Sequence, residues 1–163
     1  MSGGVLAEYD ALVAGGELRP DPEQRAAAER LNRLQQELEA VPPRGSLLWR
    51  LAGRKPEEPR GIYMWGGVGR GKSMLMDLFY DNLAIERKRR VHFHEFMQDI
   101  HARLRVERDK GQGDPIPPVA AALKEQARCI AFDEMVVNNS ADAMIMSRLF
   151  TALITSGVTI VAT

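Results

Sequence analysis

Cysteine is all but missing from this sequence: Cys129 is the single one among 163 residues. No disulfide can form within the chain, and a reducing compartment suits it. Net charge is missing too, because 22 lysines and arginines balance 22 aspartates and glutamates. A neutral chain has no global field to draw it to nucleic acid or to an anionic membrane, and only a local patch could do so. No run of 18 apolar residues occurs, and no basic-then-apolar leader opens the chain. A membrane span and a secretory signal are therefore not expected, and the reading is a soluble, cytoplasmic protein. What is present is 45% hydrophobic residues, enough for one domain with a core.

Gly66-Gly67-Val68-Gly69-Arg70-Gly71-Lys72-Ser73 fits G-x-x-x-x-G-K-[ST], the phosphate-binding loop of P-loop nucleotidases. Chance produces that pattern in on the order of 1% of chains this long. Its flanks fit as well, since 61–65 reads as a strand and 74–83 as a helix, the context the motif needs. Glycines let the backbone come close to phosphate without a Cβ in the way. Successive N–H groups and the positive end of the following helix then form an anion nest. Lys72 would reach the β- and γ-phosphates of ATP, and the Ser73 hydroxyl would ligate Mg²⁺.

Upstream, Val5, Leu6, Tyr9, Leu12 and Val13 have helical spacing that stops at Gly15-Gly16. A second helix starts at Asp21-Pro22-Glu23-Gln24, with Asp21 as N-cap, Pro22 in the first turn and Gln24 reaching back. Ala27, Leu31, Leu34, Leu38 and Val41 form one narrow apolar seam along it. Packing on the following domain is the expected use of that seam, ahead of a coiled coil with a partner. Pro42-Pro43 ends the helix, and a polar stretch over 54–59 separates it from the phosphate loop.

Downstream of the loop helix, Glu86-Arg87-Lys88-Arg89-Arg90 reads as a solvated helix end, where cations suit the dipole. Nothing aromatic is interleaved with it, which disfavours nucleic-acid contact. Residues 91–96 alternate like a strand, and a helix is expected over 97–110, a loop over 111–118 and a short helix over 119–126. His92, His94 and His101 lack the spacing and partners of a metal site. Arg128-Cys129-Ile130-Ala131-Phe132-Asp133-Glu134 reads as a buried parallel strand with two carboxylates at its C-terminal edge, where ligands sit in open α/β sheets. Asp133 would hold Mg²⁺ through water, and Glu134 would orient the attacking water. A helix over 141–156 with Gly157 as its C-cap, and a strand over 158–163, complete the reading.

Together the blocks GGVGRGKSMLMDLFY (66–80), RVHFHEFMQDIHARL (90–104), FDEMVVNNSADAMIMSRLF (132–150) and GVTIVAT (157–163) resemble the ZapE-type cell-division ATPases and their mitochondrial Afg-type relatives. The resemblance runs from about residue 9 to the last residue. It implies an AAA+ P-loop ATPase: an α/β core with a parallel sheet and flanking helices over 59–163, preceded by a helical extension over 1–58. Gly66 to Ser73 would be its ATP-binding loop and Asp133-Glu134 its Walker B pair, with Lys72 and Glu134 catalytic and Ser73 and Asp133 on the metal. With family strand order 5-1-4-3-2, the four strands here would lie in the order 1-4-3-2. Segments near Phe96-Met97 and 135–140 fall where related ATPases place pore loops.

Family members often carry Phe-Gln and Thr-Asp where this chain has Met135-Val136 and Asn138-Asn139, so a partner read by that segment would meet a less acidic surface. They also continue past the last strand with a sensor residue, a fifth strand, an arginine finger and a lid. The expectation is thus an N-terminal portion of a longer Mg²⁺-dependent ATPase. The resemblance further implies a homo-oligomeric ring in the full-length protein and action on division-ring proteins such as FtsZ, or on protein quality control. The alternatives are a helicase-loader-like ATPase using 87–90 on nucleic acid, and a nucleotide-binding scaffold without useful hydrolysis.

Overall fold

The computed structural model describes residues 3–40, 51, 62–63 and 70–163. Gly66 to Gly69, Val41, the Pro42-Pro43 helix stop and the polar stretch over 54–59 lie outside them. Six helices stand among these residues: α1 (Gly4–Ala14), α2 (Pro22–Ala40), α3 (Arg70–Asn82), α4 (Phe93–Asp109), α5 (Ile116–Gln126) and α6 (Ser140–Thr155). The strands are β1 (Ile62–Tyr63), β2 (Lys88–His92), β3 (Cys129–Asp133) and β4 (Thr159–Ala162). They divide into two compact units, Met1–Pro59 with Met64–Glu86, and Arg60–Tyr63 with Arg87–Thr163.

In the first unit α1, α2 and α3 pack on one another. Asp21 caps α2 as its sequence suggests, its Oδ1 accepting from the backbone N–H of Glu23 at 2.9 Å and of Gln24 at 3.3 Å. The buried stripe of α2 is Ala28, Leu31, Leu34, Gln35 and Leu38. The seam is therefore spent on packing within the unit, and a polar residue, Gln35, shares it. From α3, Leu75, Met76 and Phe79 are buried.

The second unit holds a parallel sheet in the order β1-β4-β3-β2. This is the 1-4-3-2 order expected of an AAA+ core. Each parallel neighbour needs a helical crossover, and α6 supplies the one between β3 and β4. Ile130 and Phe132 of β3, with Ile160 and Ala162 of β4, share one buried cluster with Phe96 and Ile100 of α4, Val119 and Leu123 of α5, and Leu149 and Leu153 of α6. Phe132 is its centre, with ring centroids of Phe96 at 4.7 Å, Phe150 at 5.4 Å and Phe93 at 6.1 Å.

Two elements depart from the sequence reading. The basic run is not a helix end: α3 stops at Asn82, and Lys88, Arg89 and Arg90 belong to β2. Residues 93–96 are not strand either, because α4 begins at Phe93. The alternation over 91–96 is the start of a helical stripe, Phe93, Phe96, Met97, Ile100 and Leu104, all of it buried. A short segment can satisfy both periods, and the longer repeat decides it. Phe96 and Met97 are consequently core residues, not a pore loop.

Candidate nucleotide-binding site

α3 opens with the last part of the phosphate-loop pattern. Gly71 and Lys72 are half-buried and Ser73 is exposed on its first turn. That turn carries no acidic residue, so no carboxylate of its own helix competes for an anion there. Gly71 also has a close neighbour: a Cβ there would lie 2.5 Å from Nε2 of Gln24, the movable end of a flexible side chain. Gln24 thus lies against the loop's end instead of simply closing a capping box.

The other end of α3 is latched by side chains. Asn82 donates from Nδ2 to Glu8 Oε2 at 2.5 Å and to the Leu78 carbonyl at 2.8 Å. Gln35 donates from Nε2 to the Asn82 carbonyl and to Glu39 Oε1, both at 3.0 Å, and its Oε1 accepts from the Val5 N–H at 3.1 Å. One buried amide therefore satisfies the free carbonyl of one helix end and the free N–H of another. The helix that carries Lys72 and Ser73 is fixed in register with α1 and α2.

In the second unit Asp133 is the last residue of β3, at the sheet edge where β1 also ends at Tyr63 and β4 at Ala162. It is held by Arg90 of β2: Nε donates to Oδ2 at 2.7 Å and Nη2 to Oδ1 at 3.0 Å. The register explains the reach, since Arg90 lies opposite Ala131 and His92 opposite Asp133, and residues two apart share a face. Glu134 follows with φ of 54°, the one non-glycine residue in the left-handed region among those described. Such a backbone costs about 1–2 kcal/mol, and Thr163 braces it. Glu134 N–H donates to Thr163 Oγ1 at 3.3 Å, Met135 N–H to the Thr163 carbonyl at 3.0 Å, and Thr163 N–H to the Phe132 carbonyl at 3.1 Å. The Glu134 carboxylate, on an exposed residue, is carried on a turn stitched to the end of β4.

Arg90, Thr163 and Gln24 are the residues that reading the sequence missed. Each depends on strand register or helix packing: in the sequence Gln24 stands only as a helix-start residue, Arg90 as part of the basic run and Thr163 as the end of a strand expected beside β3. The rest of the basic run is also occupied: Arg87 donates to the Lys124 carbonyl at 3.3 Å, and Arg89 lies 4.0 Å from Asp99. Of the histidines, His94 lies 3.2 Å from Gln98 and His101 pairs with Asp142 at 2.8 Å. No group of three or more His, Cys, Asp or Glu side chains is placed to hold a metal ion among the described residues. Burial pushes the Cys129 thiol up to about 12, which excludes it as a thiolate nucleophile at neutral pH.

The AFG1-like ATPase family model matches residues 5–163, from the first turn of α1 through the Thr163 brace. The chain belongs to the AFG1-like ATPase family. Its similarity reaches "Cell division protein ZapE" of Escherichia coli (strain K12), at 40% identity over 96% of this chain and 44% of that protein. "Lactation elevated protein 1 homolog B" of Danio rerio is 36% identical over 99% of this chain and 42% of its own length. The chain thus spans less than half the length of these AFG1-like relatives. No solved structure matches it. The AFG1-like match takes in both units, so the helical pair α1–α2 lies inside the family's shared region along with the sheet.

Proposed function

We propose that this chain carries the Mg²⁺-dependent ATP-binding machinery of a ZapE-like AAA+ ATPase, with Gly66 to Ser73 holding the phosphates. The observation that carries the reading is a phosphate-loop pattern opening α3, joined in one family match to an Asp-Glu pair ending β3. Lys72 places its ammonium on the β- and γ-phosphates, and the backbone N–H groups of the loop and of the first turn of α3 bind their oxygens. Ser73 and Asp133 offer hydroxyl and carboxylate oxygens, the hard donors that suit magnesium. Held by Ser73 and Asp133, a magnesium ion would supply neutralisation of charge on the phosphates. Glu134 orients the attacking water and accepts its proton, from a carboxylate held on a braced turn.

The division-related name of the Escherichia coli relative supports action on cell-division proteins, and FtsZ is the partner proposed among them. Protein quality control is the other expected setting, and a homo-oligomeric ring the working form of the whole protein. The proposed site of action is cytoplasmic; no helix among the described residues is long and apolar enough to cross a membrane. The helicase-loader reading loses support because Arg87, Arg89 and Arg90 are engaged within the chain.

Calorimetry with ATP and Mg²⁺ tests the proposal. Lys72→Ala is expected to weaken binding by about 100-fold or more. Glu134→Gln should bind within about threefold of the parent while turnover falls by about 100-fold or more. Parental affinity in a folded Lys72→Ala chain would overturn the assignment.

A further inference from the structure

Asp133 already has a cationic partner of its own. The Arg90 fork uses one acceptor direction on each carboxylate oxygen, at 2.7 and 3.0 Å. A carboxylate has about four such directions, so one on each oxygen stays available to water or a cation. The pair is shielded, with 26% of the Arg90 and 13% of the Asp133 side chain exposed. Paired, charge-assisted bonds fix a carboxylate's rotamer as well as its charge. Shielding also makes any third charge nearby felt more strongly than in water.

These facts have two consequences of opposite sign. Orientation by the fork suits Asp133 to the magnesium role proposed above. The same guanidinium is a positive charge beside any divalent cation that Asp133 holds, and it repels that cation. We propose that Arg90 is a positioning residue that orients Asp133 and, by its charge, raises the divalent-cation concentration at which the nucleotide is taken up. The inference rests on the reading of Asp133 as the magnesium partner. It gives the site a built-in threshold: with cation and nucleotide absent, Arg90 balances the Asp133 charge, and the cation must bind against it.

The test uses the whole chain, Mn²⁺ as the probe and ADP as the nucleotide, so that no turnover is needed. Free Mn²⁺ is followed by electron paramagnetic resonance. Arg90→Met, which removes the charge, should lower the half-saturating Mn²⁺ by about tenfold, as expected for losing a nearby unit charge. Arg90→Lys, which keeps the charge without the fork, should stay within about twofold of the parent. Thermal melting checks that the variants fold, and Arg90→Gln, neutral but still a donor, replaces Arg90→Met if that chain does not. Arg89→Ala, on the opposite face of β2, serves as the control and should leave the value unchanged. An unchanged or raised half-saturation in the neutral variants, beside a raised one in Asp133→Asn, overturns the threshold set by the Arg90 charge and leaves the reading of Asp133 standing. An unchanged value in Asp133→Asn removes Asp133 from the cation and takes both readings down together.

Discussion

The two units keep their helices in place by different physics. In the first, the seam among α1, α2 and α3 buries two amides, Gln35 at 4% and Asn82 at 7% exposure, each with named partners. In the second, β3 and β4 meet α4, α5 and α6 through an apolar cluster centred on Phe132. Apolar burial is large and non-directional, so it holds elements together without strongly fixing their register. Buried amides add little net energy but penalise every arrangement that leaves them unpaired. The first unit therefore holds the helix with Lys72 and Ser73 by specificity, and the second holds the Asp133 strand by mass.

The largest expected effect comes from removing that mass. Phe132→Ala deletes a ring in contact with three others and should cost about 3–5 kcal/mol. Urea unfolding followed by hydrogen exchange reads it: protection should fall first in β3, β4 and α4. Equal loss across α1 and α2 would show that the units do not respond separately and would break the comparison. Gln35→Ala comes next. It strips the partner from the Val5 N–H and the Asn82 carbonyl, and leaving buried polar groups unpaired costs about 1–3 kcal/mol. Its exchange signature should be reversed, with α1 and the end of α3 opening first. A cost well under 1 kcal/mol would mean that water replaces the amide and that the latch has no specificity to give.

These two positions also mark what a single sequence could and could not convey. Phe132 was legible as core because four apolar residues in a row before a carboxylate pair have few uses besides a buried strand. The α/β class followed from the strand–loop–helix order around the phosphate-loop pattern, and the 1-4-3-2 strand order followed from family resemblance. Gln35 was not legible, because a polar residue beside a leucine seam reads as solvent-facing until the partner helix ends are known. Arg90 was hidden for a related reason. Its long apolar stem lets it lie in a strand while its head reaches a charge, and its partner is 43 residues away. The phosphate-loop side writes its chemistry into consecutive residues, whereas the acid side assembles Arg90 from the middle of β2, Asp133 from the end of β3 and Thr163 from just past β4.

The smallest effect gives the finest comparison, because both units end a helix with the same device. α1 closes with the Gly16 N–H on the Val13 carbonyl and the Glu17 N–H on the Leu12 carbonyl. α6 closes with the Gly157 N–H on Ile154 and the Val158 N–H on Leu153. Each is a Schellman closure with a left-handed glycine, φ 78° at Gly16 and 95° at Gly157. Alanine in that region costs about 1 kcal/mol at either position. The surroundings then separate them. Gly16 leads into exposed Glu17, so α1 can fray by a turn and relieve the strain. Gly157 leads straight into Val158, 2% exposed, and then into β4 beside β3. Its turn cannot relax without moving the strand whose end braces Glu134. Gly157→Ala should therefore cost about 1–2 kcal/mol and Gly16→Ala about half of that, measured as shifts in urea midpoint at constant slope. Equal costs would mean that α6 frays as freely as α1, and that the brace on Glu134 takes no rigidity from the helix before it.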